Sequence, residues 1–589
     1  MIRIGGASGY WGESVMATPQ LLKAGVDVLV YDYLAEITMS LLARGRMKDP
    51  ENGGYAPDFV SVVMKRNLAE IAERGVKVLS NAGGVNPAAC GRALRKLIDD
   101  AGLGLKVAVV EGDDLIARRA EIGELGPEDM FSGERHPEPM ALVSMNAYLG
   151  ALPIAKALAD GADIVITGRC VDSSLTLGAL MNRYGWDAED YDLLSAGSLV
   201  GHLLECGPQA TGGNFTDWRD VPNRAAIGYP IAEVSEDGSA VITKPEGSGG
   251  LVSRGTVAEQ LVYEIGDPGD YLLPDVRCDW REVELEDVGP DRVAVSGAKG
   301  RAPTGKLKVC ATHLAGWRGG LTPTFYGFQA AEKARVFAED VLARCEFMLR
   351  AQSLPPFTET SVEVIGAGGM FGEEGEADEV VLKVAARHAE EKGIATLLRE
   401  AAGLGLATPP GLCGFAGARP KPSPVVQLYS FLIDRGEVSV SVDLGEGAQP
   451  VASADHGKSA PPSPFAEPCA AEQTSDLVSV LLIEAAFARS GDKGNSANVG
   501  VIARHPDLLP YLWAQLTEEA VAERFAHVAE GLVKRFHMPG TSAINFTLEK
   551  SLGGGGIASL RNDPQGKGFS QVMLTMSVQV PARLLEEIS

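Results

Sequence analysis

Five short apolar runs, each followed by a stretch of helical periodicity, occupy the first 200 residues and leave few folds open. The runs are Ile2 to Ile4, Val26 to Tyr31, Val76 to Leu79, Val107 to Val110 and Ile164 to Thr167. Helical patterns fall at Thr18 to Ala24, Asp58 to Glu73 behind Pro57, Ala88 to Asp99, Ala147 to Leu158 and Leu175 to Arg183. Consecutive strands separated by crossovers of roughly a dozen residues or more pair in parallel. The expected fold is therefore α/β, with an N-terminal parallel, doubly wound-like sheet; a partial barrel is the other arrangement this alternation allows.

Every strand-to-helix loop of a parallel sheet leaves at one edge, and here those loops are polar. They read Gly5-Gly6-Ala7-Ser8-Gly9-Tyr10-Trp11-Gly12, Asp32-Tyr33, Asn81-Ala82-Gly83-Gly84-Val85-Asn86-Pro87, Glu111-Gly112-Asp113-Asp114 and Gly168-Arg169-Cys170-Val171-Asp172. Gly6, Ser8, Gly9, Gly83 and Gly84 let backbone N–H groups approach an anion, and Arg169 suits a carboxylate or phosphate. Asp113 and Asp172 complete the expected substrate-binding set, although Asp172 is also a good helix cap. The first loop is not a clean G-x-G-x-x-G, which disfavours a dinucleotide even though Asp32 stands where a ribose-binding acid would. Asn81 and Asn86 are candidates to polarise a carbonyl, or simply to cap and turn the chain. Cys90, inside a helix with only Arg92 nearby, reads as a packed apolar residue. His202 and Glu205, three apart on one helix face, are expected to move a proton; a surface pair or a satisfied core histidine is the plain alternative. No second such pair exists to build a metal site.

Beyond residue 227 the chain turns β-rich, then α+β. Strands are expected near Leu307 to Thr312, Thr324 to Phe328, Val362 to Ile365, Val380 to Val384 and Val438 to Val442, around helices at Ala330 to Leu349 and His388 to Ala402. The expected organisation is 1–227, the catalytic parallel-sheet region; 228–452, the remainder of that unit; 453–476, a linker rich in Ala, Pro and Ser; and 477–589, a C-terminal α+β domain, ferredoxin-like. In this last part, strands are expected at Leu477 to Ala488, from Asn498, and at Ala543 to Leu548, Gly556 to Leu560 and Ser570 to Val580, with helices over Leu508 to Arg535. Asp492, Lys493, Asn495 and His537 are secondary site candidates there, for a ligand or for an interface.

The net charge of −25 repels a phosphate backbone and no basic stripe relieves it, so nucleic acid is an unsuitable partner. The same acidity opposes anionic membranes, and no run of about 18 apolar residues exists to span one. Eight cysteines stand singly with no C-x-x-C pair, the pattern of reduced thiols. The opening MIRIGGASGYWGES lacks the charged-then-apolar order of a signal peptide, and a cytoplasmic location is expected.

Several of these segments together resemble the acyclic terpene utilisation (AtuA-like) family. They are the Gly5 to Gly12 and Asn81 to Pro87 loops, Thr167 to Ser173, Gly201-His202-Leu203-Leu204-Glu205-Cys206-Gly207, Tyr263-Glu264-Ile265-Gly266-Asp267-Pro268 and Arg489-Ser490-Gly491-Asp492-Lys493-Gly494-Asn495. The resemblance implies a catalytic-type region to about residue 450 joined to a C-terminal ferredoxin-like domain. It also implies a place in the catabolism of branched acyclic terpenoids through acyl-CoA thioesters. The expected activity is a lyase step, hydration, dehydration or C–C cleavage, with acyl-CoA as substrate rather than cofactor, no metal, and a homo-oligomeric protein. A non-catalytic partner or scaffold of an acyl-CoA carboxylase is the alternative. A nucleotide-dependent ligase is weaker, for want of a Walker-type lysine loop.

Overall fold

The computed structural model describes residues 1–13, 15–373, 375–414, 420–452, 459–462, 464 and 466–588. Strands β1 (Ile2–Ser8), β2 (Val28–Tyr31), β3 (Lys77–Ser80) and β4 (Val107–Glu111) are followed by β5 (Leu142–Ala147) and β6 (Ile164–Thr167). Five of them, in the order β1-β2-β3-β6-β4, pair in parallel. Their side chains alternate between two cores. Val28, Val30, Leu79 and Val165 enter one, and Leu29, Tyr31, Val78, Ile164 and Ile166 the other. Burial on both faces is why these segments read as continuous apolar runs.

Helices α1 (Ala17–Ala24), α2 (Glu36–Lys48), α3 (Lys65–Arg74) and α4 (Pro87–Asp100) follow the first three strands. Leu21, Leu68 and Leu94 from α1, α3 and α4 join the second core. The short α5 (Arg119–Glu124) is followed by α6 (Leu152–Ala159), α7 (Ser174–Tyr184) and α8 (Tyr191–Glu205), whose Ile154, Leu180 and Leu203 join the first. The winding reverses after β4, so the helices that follow β3 and β6 lie on opposite faces and leave a crevice between these neighbouring strands.

The sheet as a whole is not the parallel one expected; it is mixed and has eleven strands among the described residues. Segment Ile231–Val234 pairs antiparallel with β1 and continues into three more antiparallel strands. At the far edge Ser441–Asp443 pairs antiparallel with β4, rather than joining the middle region. A tight turn at Gly238 (φ 82°) needs no crossover, which is why Ile231–Val234 continues into an antiparallel neighbour, Ala240–Thr243. A second sheet is built on the sixteen-residue strand Lys306–Leu321, which also pairs with β5 and so ties the middle of the chain to its start. Helices Ala330–Ala351 and Glu391–Gly403 cover that sheet.

The C-terminal domain holds a four-stranded antiparallel sheet in the order Ala486–Lys493, Ser496–Ala503, Ala543–Leu548, Val533–Met538. Helices Leu509–Gln515 and Phe569–Met573 share its core. Leu477 to Ala488 is not one strand: helix Leu482–Ala485 interrupts it. The expected Leu508 to Arg535 helices end at Arg524, and Gly556–Ala558 is a 3-10 turn rather than a strand. Within the expected linker, 453–458, 463 and 465 lie outside the described residues. Its described part lies against the body: Arg277 donates to Ser459 Oγ (2.7 Å), and Ala466 O is 2.9 Å from His537 Nδ1. Among the described residues no helix is long and apolar enough to cross a membrane.

Candidate active site

Asp32 leaves the end of β2 buried, and the next strand's loop fixes it. Its carboxylate accepts from Asn81 Nδ2 at 2.5 Å and from the Leu34 amide at 3.3 Å. The Asn81 carbonyl oxygen accepts from the Tyr33 amide at 2.8 Å, so this side chain is spent on orienting Asp32. Burial, then the nearby charge of Asp172, pushes the Asp32 carboxyl well above the usual range, against Arg169 and Asn81. A carboxyl so placed keeps a proton at pH values where an ordinary one has lost it.

Arg169 comes from the β6 loop. Its amide is held by Asp113 (2.7 Å), and its guanidinium lies 4.1 Å from the Tyr148 ring centre. Nη1 donates to Asp172 at 2.5 Å and to the Cys170 carbonyl at 3.1 Å. Nε is buried without a hydrogen-bond partner among the described residues. Asp172 thus pairs with Arg169, and α7 begins after Ser173. The Tyr148 hydroxyl donates to Glu36 (2.6 Å), and Lys308 stands 3.4 Å from the same oxygen. Burial would raise the Glu36 carboxyl, but Lys308, Arg169 and Tyr148 outweigh it and hold it well below the usual range.

The C-terminal domain closes this cluster. Its first hairpin carries Asp492 and Lys493 to the same charged groups. Lys493 Nζ lies 5.5 Å from the Tyr271 ring centre and has no ion pair or hydrogen bond among the described residues. Burial works against its charge, yet Tyr271, Glu264, Glu205 and Glu36 outweigh it and raise the ammonium above its ordinary value. Glu264 sits in the left-handed region (φ 56°), where non-glycine residues are uncommon. Its amide donates to Asn498 Oδ1 at 2.9 Å, and its carboxylate accepts from Lys567 at 2.8 Å. Lys567 also reaches Asp492 at 3.2 Å.

His202 is buried, with Nδ1 2.9 Å from Glu205 and Nε2 3.2 Å from the Leu261 carbonyl. Both ring nitrogens face internal groups, so His202 positions Glu205 and has no nitrogen left for a substrate. Asn86 caps α4 through the Ala89 amide (3.2 Å) and donates to the Gly53 carbonyl (2.8 Å), away from the cluster. The first glycine loop is a packed turn. A Cβ on Gly6 would lie 2.5 Å from the Leu204 oxygen, and one on Gly9 2.8 Å from the Cys206 carbonyl carbon. The Gly9 amide already serves an internal carboxyl, Glu13, at 2.6 Å, and Ser8 Oγ bonds to the Tyr10 carbonyl. Gly83 and Gly84 have similar packing roles: their Cβ atoms would each lie 2.4 Å from a neighbour, Thr167 O and Leu42 Cδ1. Asn495 anchors Gly554 N (2.7 Å), while His537 lies against Trp513 and Ala466.

Sequence reasoning passed over Glu36, Tyr148, Lys308, Tyr271 and Lys567, and named Asp32 only as a ribose contact. Asp32 alone carried a signal, its position at a parallel strand's end. Among the described residues no group of three or more His, Cys, Asp or Glu side chains is arranged to hold a metal ion. A model of the family described as acyclic terpene utilisation family protein AtuA matches residues 2–444, and one described as an AtuA ferredoxin-like domain matches residues 480–579. No curated protein matches the chain.

Proposed function

Because the chain belongs to the acyclic terpene utilisation family, by a match over residues 2–444, we propose that it acts on branched acyl-CoA thioesters of terpenoid catabolism. The reaction is hydration, dehydration or C–C cleavage, each of which gains or loses a proton beside the thioester carbonyl. One observation carries the reading: a proton-retaining carboxyl, Asp32, is held beside Arg169, whose Nε is unspent, in a cluster that also includes the unpaired ammonium of Lys493. In hydration, the oxygen of water bonds to Cβ and a proton goes to Cα as the C=C bond is lost. Asp32 supplies that proton and recovers one from the water. Arg169 and Lys493 take the negative charge that gathers on the carbonyl oxygen, a role suited to donors already oriented toward where that charge develops. Asn81, His202 and Asp113 are positioning residues.

Turnover of an acyl-CoA panel, followed by mass spectrometry of the products, tests this. General acid–base groups contribute roughly 10²–10⁴-fold, so Asp32→Asn is expected to lose about that much with its circular dichroism unchanged. Lys493→Met is expected to lower turnover as well. Turnover that survives Asp32→Asn overturns the assignment. No turnover of any thioester, with copurification of a biotin-dependent carboxylase, favours the scaffold instead.

A further inference from the structure

A pocket of about 490 Å³ opens where strands Lys306–Leu321 and Glu379–His388 meet the 556–565 segment of the C-terminal domain. Arg318, Lys383, Lys421 and Arg561 line it, with the hydroxyls of Thr322 and Ser423, and no Asp or Glu lines it among the described residues. In a chain of net charge −25 such a concentration of cations needs a cause.

Docking of the C-terminal domain supplies part of one. Arg318 donates to the Ser559 carbonyl at 3.1 Å, and Lys383 to the Leu560 carbonyl and to Glu363 (2.7 Å). Docking leaves three things unexplained. Arg318 and Arg387 are direct register partners across the ladder, and like charges so placed repel. Arg387 pairs with Glu359 through Nη1 at 3.1 Å, yet its Nε and Nη2 are buried without hydrogen-bond partners among the described residues. Lys421 lines the pocket with an exposed side chain and has no ion pair or side-chain hydrogen bond among the described residues.

We propose that this pocket binds the phosphate groups of a nucleotide-type ligand. A phosphate set between these cations meets several donors at once and relieves the Arg318–Arg387 repulsion. The pocket adjoins the catalytic cluster: Gln565 lines it and donates to Asp492 at 3.3 Å. On the proposed function, a thioester whose phosphorylated end lies here presents its acyl end toward Lys493. That last step rests on the function proposed above, whereas phosphate binding does not.

Calorimetric titration of the full chain with adenosine 3′,5′-bisphosphate, pyrophosphate and adenosine tests the site. The bisphosphate is expected to bind, to weaken about tenfold in Lys421→Ala and in Arg318→Gln, and to weaken with added salt. Adenosine is expected not to bind. Pyrophosphate binding as tightly as the bisphosphate means that the phosphates alone are read. Absence of binding, or binding indifferent to Lys421→Ala, overturns the proposal even if thioesters are turned over. Asp32→Asn is expected to leave bisphosphate binding intact, so a failed reaction and a failed phosphate site give different results.

Discussion

Asp113 holds two donors with one oxygen, the Arg169 amide at 2.7 Å and Asn146 Nδ2 at 2.8 Å. It lies beneath Gly168, where a Cβ would come within 2.3 Å of the carboxylate. Burial pushes its carboxyl up to about 7, against those donors. An unfolded Asp titrates near 3.9. Between the two values only the folded chain binds the proton, so the stability this group contributes is present in acid and lost as the pH rises through about 7. Glu259, pushed up to about 7 by burial, and Asp492, pushed up to about 6, act in the same sense. The melting temperature is expected to fall from about pH 5.5 to about pH 8, less steeply in Asp113→Asn. An unaltered slope in that variant removes Asp113 from the account. Arg169 and Asp113 were legible because each follows a recognisable strand. Tyr148, Lys308 and Lys567 were not, since nothing in their own neighbourhoods says what they will meet.

At the scale of elements, the first loop's glycines serve helix packing. β1 passes so close to the end of α8 that a Cβ on Gly6 would meet the Leu204 carbonyl oxygen at 2.5 Å. Backbone cannot yield as a side chain does. Gly6→Ala is expected to cost about 1–3 kcal/mol, read by denaturant unfolding, and to reduce turnover by displacing Glu205. Wild-type stability and turnover together in Gly6→Ala would refute the packing account. The parallel strands were readable because burial on both faces leaves an apolar run between turn residues. The 477–488 segment was not, because an apolar run does not by itself distinguish a strand from a buried helical turn. There, Leu482 and Ala485 are buried while Leu477 and Leu481 are exposed.

At the scale of the molecule, two buried asparagines join the domains. Asn498 donates to the Val262 carbonyl at 2.6 Å, and Asn545 to the carbonyls of Ile265 and Gly266 at 3.1 and 2.6 Å. A Cβ on Gly500 would lie 2.2 Å from Val262 Cγ2, so the contact is close as well as polar. Asn545→Ala leaves two carbonyls without this donor and is expected to cost about 1–3 kcal/mol. Limited proteolysis of that variant should release the C-terminal domain sooner than in the wild type; equal rates would mean that the asparagines do not govern docking. The sequence by itself determined the five parallel strands, the edge on which their polar loops emerge and the separate C-terminal domain, since apolar periodicity and turn chemistry act between near neighbours. Only the tertiary structure decided that the first glycine loop packs rather than binds, that His202 is spent internally, and that Lys493 faces Glu205 from another domain. Those outcomes depend on contacts between separate elements, Gly6 with Leu204 and His202 with Leu261 among them, and no local pattern encodes such meetings.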